Sequence, residues 1–499
     1  MGSGEWGVGS GEGRLGVAER VLSVAEMRAW EARTWAAGVA QDEVIRAAGR
    51  AVATVVRRRS RVGAPVLVLA GRGHNGDDAA VAAGELDDRD VLLVRVQSPG
   101  GAGLALDWLE RHAGRAGAVV VDGMFGIGLS RSIAGECAEV VSAVHRSGLE
   151  VVAVDVPSGV DADRGVVMGT AVEAAITVTL GAVKRGLLEE RVARYVGRLE
   201  LAADIGLVGA APVPGDDEAA VLWTVPGDFE AYPPRRPAGG HKGTFGHVAI
   251  VAGSEGYHGA AVLAALGALR ARPGLVTVYT DERCYVPVAS QLRAAMVRPW
   301  RGERIEANGH TAVVVGPGLA SARLPGNCRT EVARLWREAR CPVVGDATAL
   351  DWLPERVEAD AGLRVVTPHP GEAGRLLGVM AADIQADRCG AVRRLSGRWV
   401  GGRTVVVLKG RHTLVGGGAM GFAEGIRVNS SGNSGLGQGG TGDVLAGYLG
   451  GLLAQSALAA EPLQAVRYGV WRHGWAADRL EETGGAWTVD DLVAALGVA

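Results

Sequence analysis

Short apolar runs rich in valine recur along this chain, and each ends at a turn that contains glycine or proline. In the first half they occupy 65–69, 119–121 and 151–154, and a helical pattern follows the first of them up to residue 86. Apolar runs of about four to eight residues between turn signals predict buried strands. Residues 20–59 carry Ala, Val, Met and Trp at helical spacing, which predicts one or two amphipathic helices. The pattern predicts an α/β fold with a parallel sheet.

The second half repeats this organisation. Strands are predicted at 247–252 and 275–279 on either side of an Ala/Leu-rich helix. Further β-branched runs end in GPGL (316–319), GDATAL (345–350), TPHPGE (367–372) and the Lys-Gly pair at 409–410. Residues 208–240 are dense in proline and glycine and have no sustained apolar period, which predicts an interdomain linker. We therefore expect a flexible tail at 1–14, a first domain at 15–210, a linker at 211–240 and a second domain at 241–499.

Composition narrows the class of protein. A length of 499 residues favours two domains, and 48% hydrophobic with 21% charged residues is typical of a soluble globular protein. The net charge of −3 predicts no general attraction to nucleic acid or to an anionic membrane. No apolar run approaches the roughly 18 residues of a membrane span, and the N-terminus lacks the pattern of a signal peptide. Five scattered cysteines argue against a disulfide framework or a zinc site and favour a reducing cytoplasm.

Residues 428–447 form the most informative stretch. Seven glycines lie in it, six of them before Asp443, and the apolar run at 444–446 then begins a helical pattern. Glycines allow several backbone N–H groups to turn toward one point, and the positive end of a helix dipole adds to them. This predicts an anion hole. Asp443 is either a charge that favours the first turn of the helix or a general base beside the bound anion, and the latter fits phosphoryl transfer to an alcohol.

Polar residues also follow the predicted strands of the first half. Asn75 and Asp78, Asp122, and Asp155 with Ser158 stand at or after three strand ends. In an open parallel sheet these ends form one crevice, so the oxygen ligands predict a bound cation there. A single aspartate at such a position is more often a turn or helix-cap residue. Lys184 follows a fourth strand, and a lone lysine of this kind is usually solvated.

The stretch GNSGLGQGGTGDVLAG resembles the anion-hole signature of ADP-dependent NAD(P)H-hydrate dehydratases, which have a ribokinase-like three-layer α/β fold. The resemblance extends over about 241–495 and includes KGxxG at 242–246, GPGL, TPHPGE and Leu-Lys-Gly. It implies contacts to the S hydrate from Ala260, Gly318, His369 and Asp443. It also implies an ADP site made of Lys409, Gly410, Arg411, His412, Thr413 and Gly442, with Mg²⁺ on the phosphates and Asp443 as catalytic base.

Residues 15–210 resemble the NAD(P)H-hydrate epimerase domain, a Rossmann-like three-layer α/β fold. The resemblance implies that Asn75, Asp122 and Ser158 bind K⁺ and that Asp155 and Lys184 are catalytic. Substrate contacts carry over to His74, Asn75, Gly76, Asp77, Asp78, Gly126, Ile127, Gly128, Leu129, Ser130, Arg131, Ser132 and Asp155. The family motif Asn-Asn-Gly-Gly-Asp-Gly reads His-Asn-Gly-Asp-Asp-Ala at 74–79, so Asp77 replaces a glycine.

Both resemblances together imply a metabolite-repair enzyme. Its first domain would interconvert the R and S hydrates of NADH and NADPH, called NADHX and NADPHX. Its second domain would dehydrate the S form with ADP as co-substrate, giving AMP and phosphate. The expected partners are these small molecules, with no nucleic acid and no membrane, and a homo-oligomer is expected.

Two other functions stay open at this point. A ribokinase-like vitamin or sugar kinase would use ATP and release a stable phosphoester. A nucleotide-binding sensor or scaffold would bind without turnover, and a first domain that only binds a ligand or only has a structural role is a limited form of that alternative. No GxxxxGK[ST] pattern occurs, which disfavours a P-loop NTPase.

Overall fold

The computed structural model describes residues 20–209, 220–417 and 425–497. The chain divides into two compact units, Met1–Gly215 and Asp216–Ala499. The predicted tail at 1–14 and residues 211–219 of the predicted linker lie outside the described residues. From residue 220 onward the predicted linker is part of the second unit, because Val221–Trp223 is a strand that pairs with Ile426–Val428 of that unit.

The first unit is built on a parallel sheet. Its strands are β1 (Val21–Leu22), β2 (Pro65–Ala70), β3 (Asp90–Arg95), β4 (Val119–Gly123), β5 (Glu150–Val154), β6 (Ile176–Leu180), β7 (Val183–Lys184) and β8 (Arg198–Ala202). Its helices are α1 (Val24–Ala36), α2 (Gln41–Arg59), α3 (His74–Glu85), α4 (Gly101–His112), α5 (Glu136–Ser147) and α6 (Ala193–Val196). Six strands pair in the order β3-β2-β4-β5-β6-β8, all in parallel, while β1 and β7 form a separate parallel pair.

Alternation along the central strands produces two apolar layers in this unit. Val66 and Val68 of β2 pack on one side of the sheet, where α1, α2 and α3 supply the rest of the core. Leu67 and Leu69 pack on the other side, against α4 and α5. Helices therefore cover both faces, as is typical of a parallel sheet. This confirms the predicted three-layer α/β fold of the first half.

The second unit has a larger mixed sheet. Its strands are β9 (Val221–Trp223), β10 (His247–Val251), β11 (Leu275–Asp281), β12 (Met296–Trp300), β13 (Ala312–Val315), β14 (Val343–Gly345), β15 (Arg364–Val366), β16 (Thr404–Leu408), β17 (Leu414–Gly417) and β18 (Ile426–Val428). Its helices are α7 (His258–Arg270), α8 (Tyr285–Ala289), α9 (Gly326–Glu338), α10 (Pro370–Leu377), α11 (Ala381–Ala386), α12 (Arg388–Ser396), α13 (Thr441–Leu453), α14 (Ser456–Ala459), α15 (Pro462–Glu482) and α16 (Val489–Leu496).

The strand order in this sheet is β12-β11-β10-β13-β14-β15-β16-β17-β18-β9. Strands β12 to β16 along this order are parallel, and β17 is antiparallel to both of its neighbours. One face is buried by α7, α13, α15 and α16. The other face meets α9. Val344 packs in the core beneath these four helices, whereas a Cβ atom on the next residue, Gly345, would lie 3.4 Å from the Trp336 ring of α9. The second half is therefore also a three-layer α/β unit, as predicted.

Parallel strands bring their carboxyl ends to one edge of each sheet, where the following turns can form a binding site. The motifs singled out in the sequence stand at these ends. Within the three described ranges, no helix combines the length and apolar character that crossing a bilayer would require.

Candidate active sites

The first unit has a cavity of about 1160 Å³ at the carboxyl ends of its strands. Residues from α1, α2 and α3 form one part of the wall, and the turns after β2 and β4 form another. A cavity of this size accommodates a ligand as large as a nucleotide. The predicted residues that line it are His74, Asn75, Asp78, Gly126, Ile127, Gly128, Leu129, Ser130, Arg131, Ser132, Asp155 and Lys184.

A buried ion pair closes the floor of this cavity. The Lys184 side chain is only 1% exposed, and its ammonium donates to Asp155 Oδ1 and, at 2.7 Å, to the carbonyl of Leu180. Asp155 Oδ1 also accepts from the Leu180 amide at 3.0 Å. Asp155 has a φ of +63°, a strained conformation for a residue with a side chain and one that is concentrated at functional sites. The interpretation of Lys184 as a solvated lysine is therefore wrong, because Asp155 compensates its burial.

Oxygen atoms cluster around Phe125, immediately after β4. The Ser158 hydroxyl donates to Asp122 Oδ1 at 2.6 Å and accepts from the Phe125 amide at 2.9 Å. The Asn75 side-chain amide donates to the Phe125 carbonyl at 3.1 Å. Burial raises the pKa of Asp122 to about 6, although hydrogen bonds from Ser158 and from the Met124 amide act in the opposite direction. The structure thus brings Asn75, Asp122 and Ser158 together next to Phe125.

In the altered loop at 74–79, the carboxylate of Asp77 is paired with an arginine. Asp77 is not among the cavity-lining residues, and its carboxylate pairs with Arg95 at 3.0 Å. Arg95 also donates to the Gly71 carbonyl at 2.8 Å, so it is anchored beside the loop. Gly76 packs against the Gly71 backbone and does not line the cavity either. The extra carboxylate of this chain is therefore directed to an arginine rather than toward the ligand space.

The cavity also contains charged residues that the sequence reasoning did not select. These residues are Arg28, Glu31 and Arg72. Glu31 lies on α1, and Arg72 follows β2. The amphipathic pattern of 20–59 indicates which positions face the sheet, but it does not show that one of them borders a cavity. The arginines, with Arg131, give part of this wall a positive charge that suits an anionic ligand.

In the second unit the turns after β10 and β13 approach each other closely. The Ser254 hydroxyl donates to the Gly318 carbonyl at 2.6 Å. A Cβ atom on Gly318 would lie 2.8 Å from that of Ala260 and 2.5 Å from the Tyr257 carbonyl, so a side chain is excluded there. Two of the predicted substrate residues, Ala260 and Gly318, are therefore adjacent.

The ends of β14, β15 and β16 bring acids to one lysine. Lys409 Nζ lies 2.8 Å from Asp346 Oδ1 and 3.9 Å from Glu372 Oε2. Burial acts to lower the pKa of Lys409, but the charges of Asp346 and Glu372 outweigh it and raise this pKa. Asp346, which is 2% exposed, also accepts from the Thr367 hydroxyl at 2.7 Å.

Asp443 joins this group from the first turn of α13. Burial, and after it the charge of Asp346, raise the pKa of Asp443 to about 7, while the Lys409 ammonium acts to lower it. The position of a Cβ atom on Gly442 lies 3.4 Å from Lys409 Nζ. The predicted anion hole and the Leu-Lys-Gly segment therefore meet at one point. The acids Asp346 and Glu372 were not selected from the sequence, although both stand in quoted motifs at strand ends.

The N-terminus of α13 has the geometry predicted for an anion hole. Gly440 has a φ of +95° and is followed directly by Thr441, the first residue of the helix. The first amides of a helix have no partner within it, so the amides after Gly440 are available to an anion. His473 of α15 lies with Nε2 3.0 Å from the Thr441 carbonyl, and burial lowers the pKa of His473 to about 4. Neutral His473 therefore donates to this carbonyl and holds the turn.

His369 serves as the N-cap of α10. Its Nδ1 accepts from the amides of Gly371 at 3.0 Å and Glu372 at 3.3 Å. When the ring is neutral, its proton is therefore on Nε2. Glu372 returns the interaction, because its Oε2 accepts from the His369 amide at 2.8 Å. The imidazole is half exposed, and its position is fixed by the turn.

The segment after β16 is fixed by its own contacts. Gly410 has a φ of +132° and His412 a φ of +50°. The His412 ring packs edge-on to Trp223 of β9 at 5.0 Å between centroids, and burial lowers its pKa. Arg388 donates to the Arg411 carbonyl, and the Thr413 hydroxyl donates to the Gly410 carbonyl at 3.1 Å. Lys409 points to the carboxylates of Asp346 and Glu372, whereas His412 packs against β9.

The described residues contain no group of three or more His, Cys, Asp or Glu side chains arranged to hold a metal ion by themselves. Within the described part of the chain, Cys137, Cys284, Cys328 and Cys341 form no disulfide.

Comparison with known proteins gives consistent matches over both units. A family model described as NAD(P)H-hydrate dehydratase matches 248–496, and one described as YjeF-related protein N-terminus matches 41–186. A bifunctional NAD(P)H-hydrate repair enzyme of Coxiella burnetii is 34% identical over 470 residues, which are 90% of this chain and 92% of the relative. The corresponding enzyme of Gloeobacter violaceus is 36% identical over 511 residues, with 96% and 97% covered.

Among solved structures, the chain is similar to an ADP/ATP-dependent NAD(P)H-hydrate dehydratase from Bacillus subtilis, co-crystallised with ATP and Mg²⁺. The two are 30% identical, with 53% of this chain and 91% of the other covered and a TM-score of 0.46.

Proposed function

Because the chain belongs to the family of bifunctional NAD(P)H-hydrate repair enzymes, we propose that it converts both the R and the S hydrates back to NADH and NADPH. The first unit interconverts the R and S hydrates, and the second unit dehydrates the S form with ADP. The observation that carries the second activity is the meeting of Asp443, the glycine turn and Lys409 at one point of the second unit.

The dehydration requires an activated leaving group, because hydroxide leaves poorly from carbon 6 of the nicotinamide ring. Asp443 takes the proton of the ring hydroxyl, whose oxygen then attacks the β-phosphorus of ADP and releases AMP. The amides at 440–442 stabilise the charge on the transferred phosphoryl group. Phosphate then leaves with the carbon–oxygen electron pair, the ring nitrogen donates its lone pair, and loss of a proton from carbon 5 regenerates the dihydronicotinamide.

Support for the nucleotide site comes from the charges at the strand ends. Lys409 is a partly buried cation beside the helix start that would receive the phosphates. Gly410, Arg411, His412, Thr413 and Gly442 would complete the ADP site. The S hydrate would contact Ala260, Gly318 and His369. The carboxylates of Asp346 and Glu372 are donors that fit Mg²⁺, which usually binds one or two carboxylates together with substrate phosphates. Mg²⁺ would supply charge neutralisation on the ADP phosphates.

In the first unit Asp155 and Lys184 are positioned to move protons at carbon 6. Both line the cavity, and their ion pair is held by the Leu180 backbone. Asn75, Asp122 and Ser158 provide amide, carboxylate and hydroxyl oxygens next to the Phe125 carbonyl, a donor set suited to K⁺. K⁺ would add fixed positive charge near an anionic dinucleotide.

One assay separates this proposal from the kinase and sensor alternatives. Purified R and S hydrates are incubated with ADP or with ATP, and the NADH absorbance band and the phosphorus products are followed. We expect ADP to restore NADH from the S hydrate with equimolar AMP and phosphate, and the R hydrate to be consumed through the S form. A stable phosphoester would indicate a kinase, and binding without turnover would indicate a sensor. We place this activity in the cytoplasm and expect a homo-oligomer.

A further inference from the structure

The first-unit cavity extends along the carboxyl edge of the sheet, from the end of β3 to the end of β6. Gln97 follows the edge strand β3, whereas Asp155 follows β5 and Lys184 stands after β6, and all three line the cavity. The strand order β3-β2-β4-β5-β6 places Gln97 at the opposite end of the cavity from the Asp155–Lys184 pair. In such a sheet a dinucleotide lies across the point where the strand order reverses, which is here between β2 and β4.

This geometry assigns different parts of a dinucleotide to the two ends of the cavity. The function proposed above places the nicotinamide ring beside Asp155 and Lys184. The turn between β2 and the start of α3 then meets the pyrophosphate, and the adenosine half lies at the end of β3. In dinucleotide-binding folds an acid at this position binds the free 2′-hydroxyl of the adenosine ribose, whereas an arginine accommodates a 2′-phosphate.

The β3 end of the cavity has an arginine. Arg72, in the turn after β2, donates through Nη2 to the Gln97 carbonyl at 2.9 Å, which holds its guanidinium beside the end of β3. Arg72 is exposed and forms no ion pair within the described ranges, so its other N–H groups are available to an anion. Asp77 of the same loop is paired with Arg95 and does not line the cavity. The acids that line the cavity lie on α1, on α3 and after β5: Glu31, Asp78 and Asp155.

Of the described residues, two other arginines line the cavity, but they lie on segments next to β5 and β7. Arg28 belongs to α1, which follows β1, and β1 pairs with β7. Arg131 lies in the turn after β4, where the nearby Ile133 amide donates to the Met168 carbonyl at 2.9 Å, in the segment after β5. Among these arginines, Arg72 is therefore the one bonded to the end of β3.

We propose that Arg72 binds the 2′-phosphate of NADPHX and makes the first unit prefer NADPHX to NADHX. Its guanidinium presents Nη1 and Nε to the phosphate oxygens while Nη2 keeps its bond to the Gln97 carbonyl. The neutral Gln97 side chain does not repel this phosphate. Arg72 and the Asp155–Lys184 pair lie at opposite ends of the cavity, so Arg72 acts on binding and not on the change at carbon 6. This inference rests on the proposed epimerase function and names its preferred substrate.

The test compares R-to-S conversion of NADPHX and of NADHX by the full chain, with ADP omitted so that the second unit consumes neither product. The wild type should convert NADPHX with a kcat/KM roughly tenfold higher, the effect of about one charge-assisted hydrogen bond, and the difference should lie in KM. Arg72→Gln should bring the ratio of the two kcat/KM values close to one, through a higher KM for NADPHX. Gln97→Glu should lower the ratio too, because its carboxylate repels the phosphate.

Controls separate this role from a structural one. Arg115→Gln removes an exposed arginine in the turn before β4, outside the cavity, and should keep the wild-type ratio. Arg72→Lys keeps a positive charge and should keep part of the preference. A wild-type ratio near one, or an equal loss on both substrates in Arg72→Gln, would overturn the inference. If the wild type converts neither R hydrate while dehydrating both S hydrates, the proposed function of the first unit is lost instead.

Discussion

In the second unit, Lys409 Nζ lies 2.8 Å from Asp346 Oδ1, the same oxygen that accepts the Thr367 hydroxyl. Asp346 follows β14, Thr367 follows β15 and Lys409 follows β16, so three adjacent strands end in one hydrogen-bonded group. This arrangement fixes the lysine close to Gly442 and to the start of α13. The lysine that would meet the nucleotide phosphates is therefore positioned before any ligand binds.

Asp346→Asn should destabilise the second unit. Asp346 is buried and Lys409 is partly exposed, so removing the charge of Asp346 leaves the lysine poorly compensated, at a cost of up to about 3 kcal/mol. Urea unfolding of the full chain measures this, and the transition that ADP shifts identifies the second unit. Asp351→Asn is the matched control, since its pair with Arg375 at 3.4 Å is largely exposed and contributes little. Equal unfolding free energies for both variants would contradict the structural role of Asp346.

Asp443→Ala should abolish ADP-driven recovery of NADH from the S hydrate. Loss of a general base lowers the rate by roughly 10²- to 10⁴-fold. Recovery of the absorbance band from purified S hydrate measures the change, and R-to-S conversion by the first unit serves as the control within the same protein. Asp490→Ala, at an exposed position of α16, should behave as wild type. Near-normal recovery in the Asp443 variant would remove this residue from its proposed role.

The dehydration rate should rise with pH through about 7. Asp443 acts as a base only when it is deprotonated, and its pKa is raised to about 7. The rate should therefore be low near pH 6 and level off above pH 8, a window of about one unit on either side of this value. The measurement is kcat/KM for the S hydrate at saturating ADP.

Lys409→Met tests the cause of that profile. The Lys409 ammonium acts to lower the pKa of Asp443, so its removal should move the acid limb to higher pH. Weaker ADP binding is also expected, because the lysine is a cation beside the helix start. An acid limb that stays in place at saturating ADP would show that Lys409 does not set the ionisation of Asp443.

Asp155→Asn should block conversion of the R hydrate only. The substitution removes the counter-charge of the buried Lys184 and the base of the first unit, so R-to-S conversion should fall by roughly 10²-fold or more. Dehydration of purified S hydrate by the same protein should be unchanged. Similar losses on both epimers would contradict the division of labour between the two units.

Ser158→Ala should weaken the effect of K⁺ on epimerisation. The hydroxyl links Asp122 to the Phe125 amide, and removal of such a support should raise the half-saturating K⁺ concentration by roughly tenfold. Rates are titrated with KCl at constant ionic strength, with choline chloride as the balancing salt. Ser142→Ala, on the exposed side of α5, is the control. A wild-type rate independent of K⁺ would exclude the ion from this site.

The sequence predicts the parts of these sites that depend on local signals. Valine runs that end in turns predict the strands, and the glycines before Asp443 predict the start of α13, because both patterns follow from backbone geometry. The burial of Lys184 could not be predicted, since it depends on Asp155 from a different strand. Likewise, Glu31 looks like one polar position of an amphipathic helix until the fold places it beside a cavity.

The start of the second unit also could not be predicted from local sequence patterns. Residues 221–223 stand in a stretch rich in proline and glycine, and three residues are too few to show a period. Their pairing with 426–428 is a contact between distant parts of the chain. Asp346 and Glu372 follow strands as predicted, but only the assembled sheet shows that both face Lys409.

The ion pair between Asp77 and Arg95 couples two positions that are far apart in the sequence. A homologue that has the aspartate without the arginine would place an unpaired negative charge near the site of an anionic ligand. A loop grafted into another protein without the arginine would have the same unpaired charge. We therefore expect homologues that have an aspartate at the position of Asp77 to have an arginine at the position of Arg95.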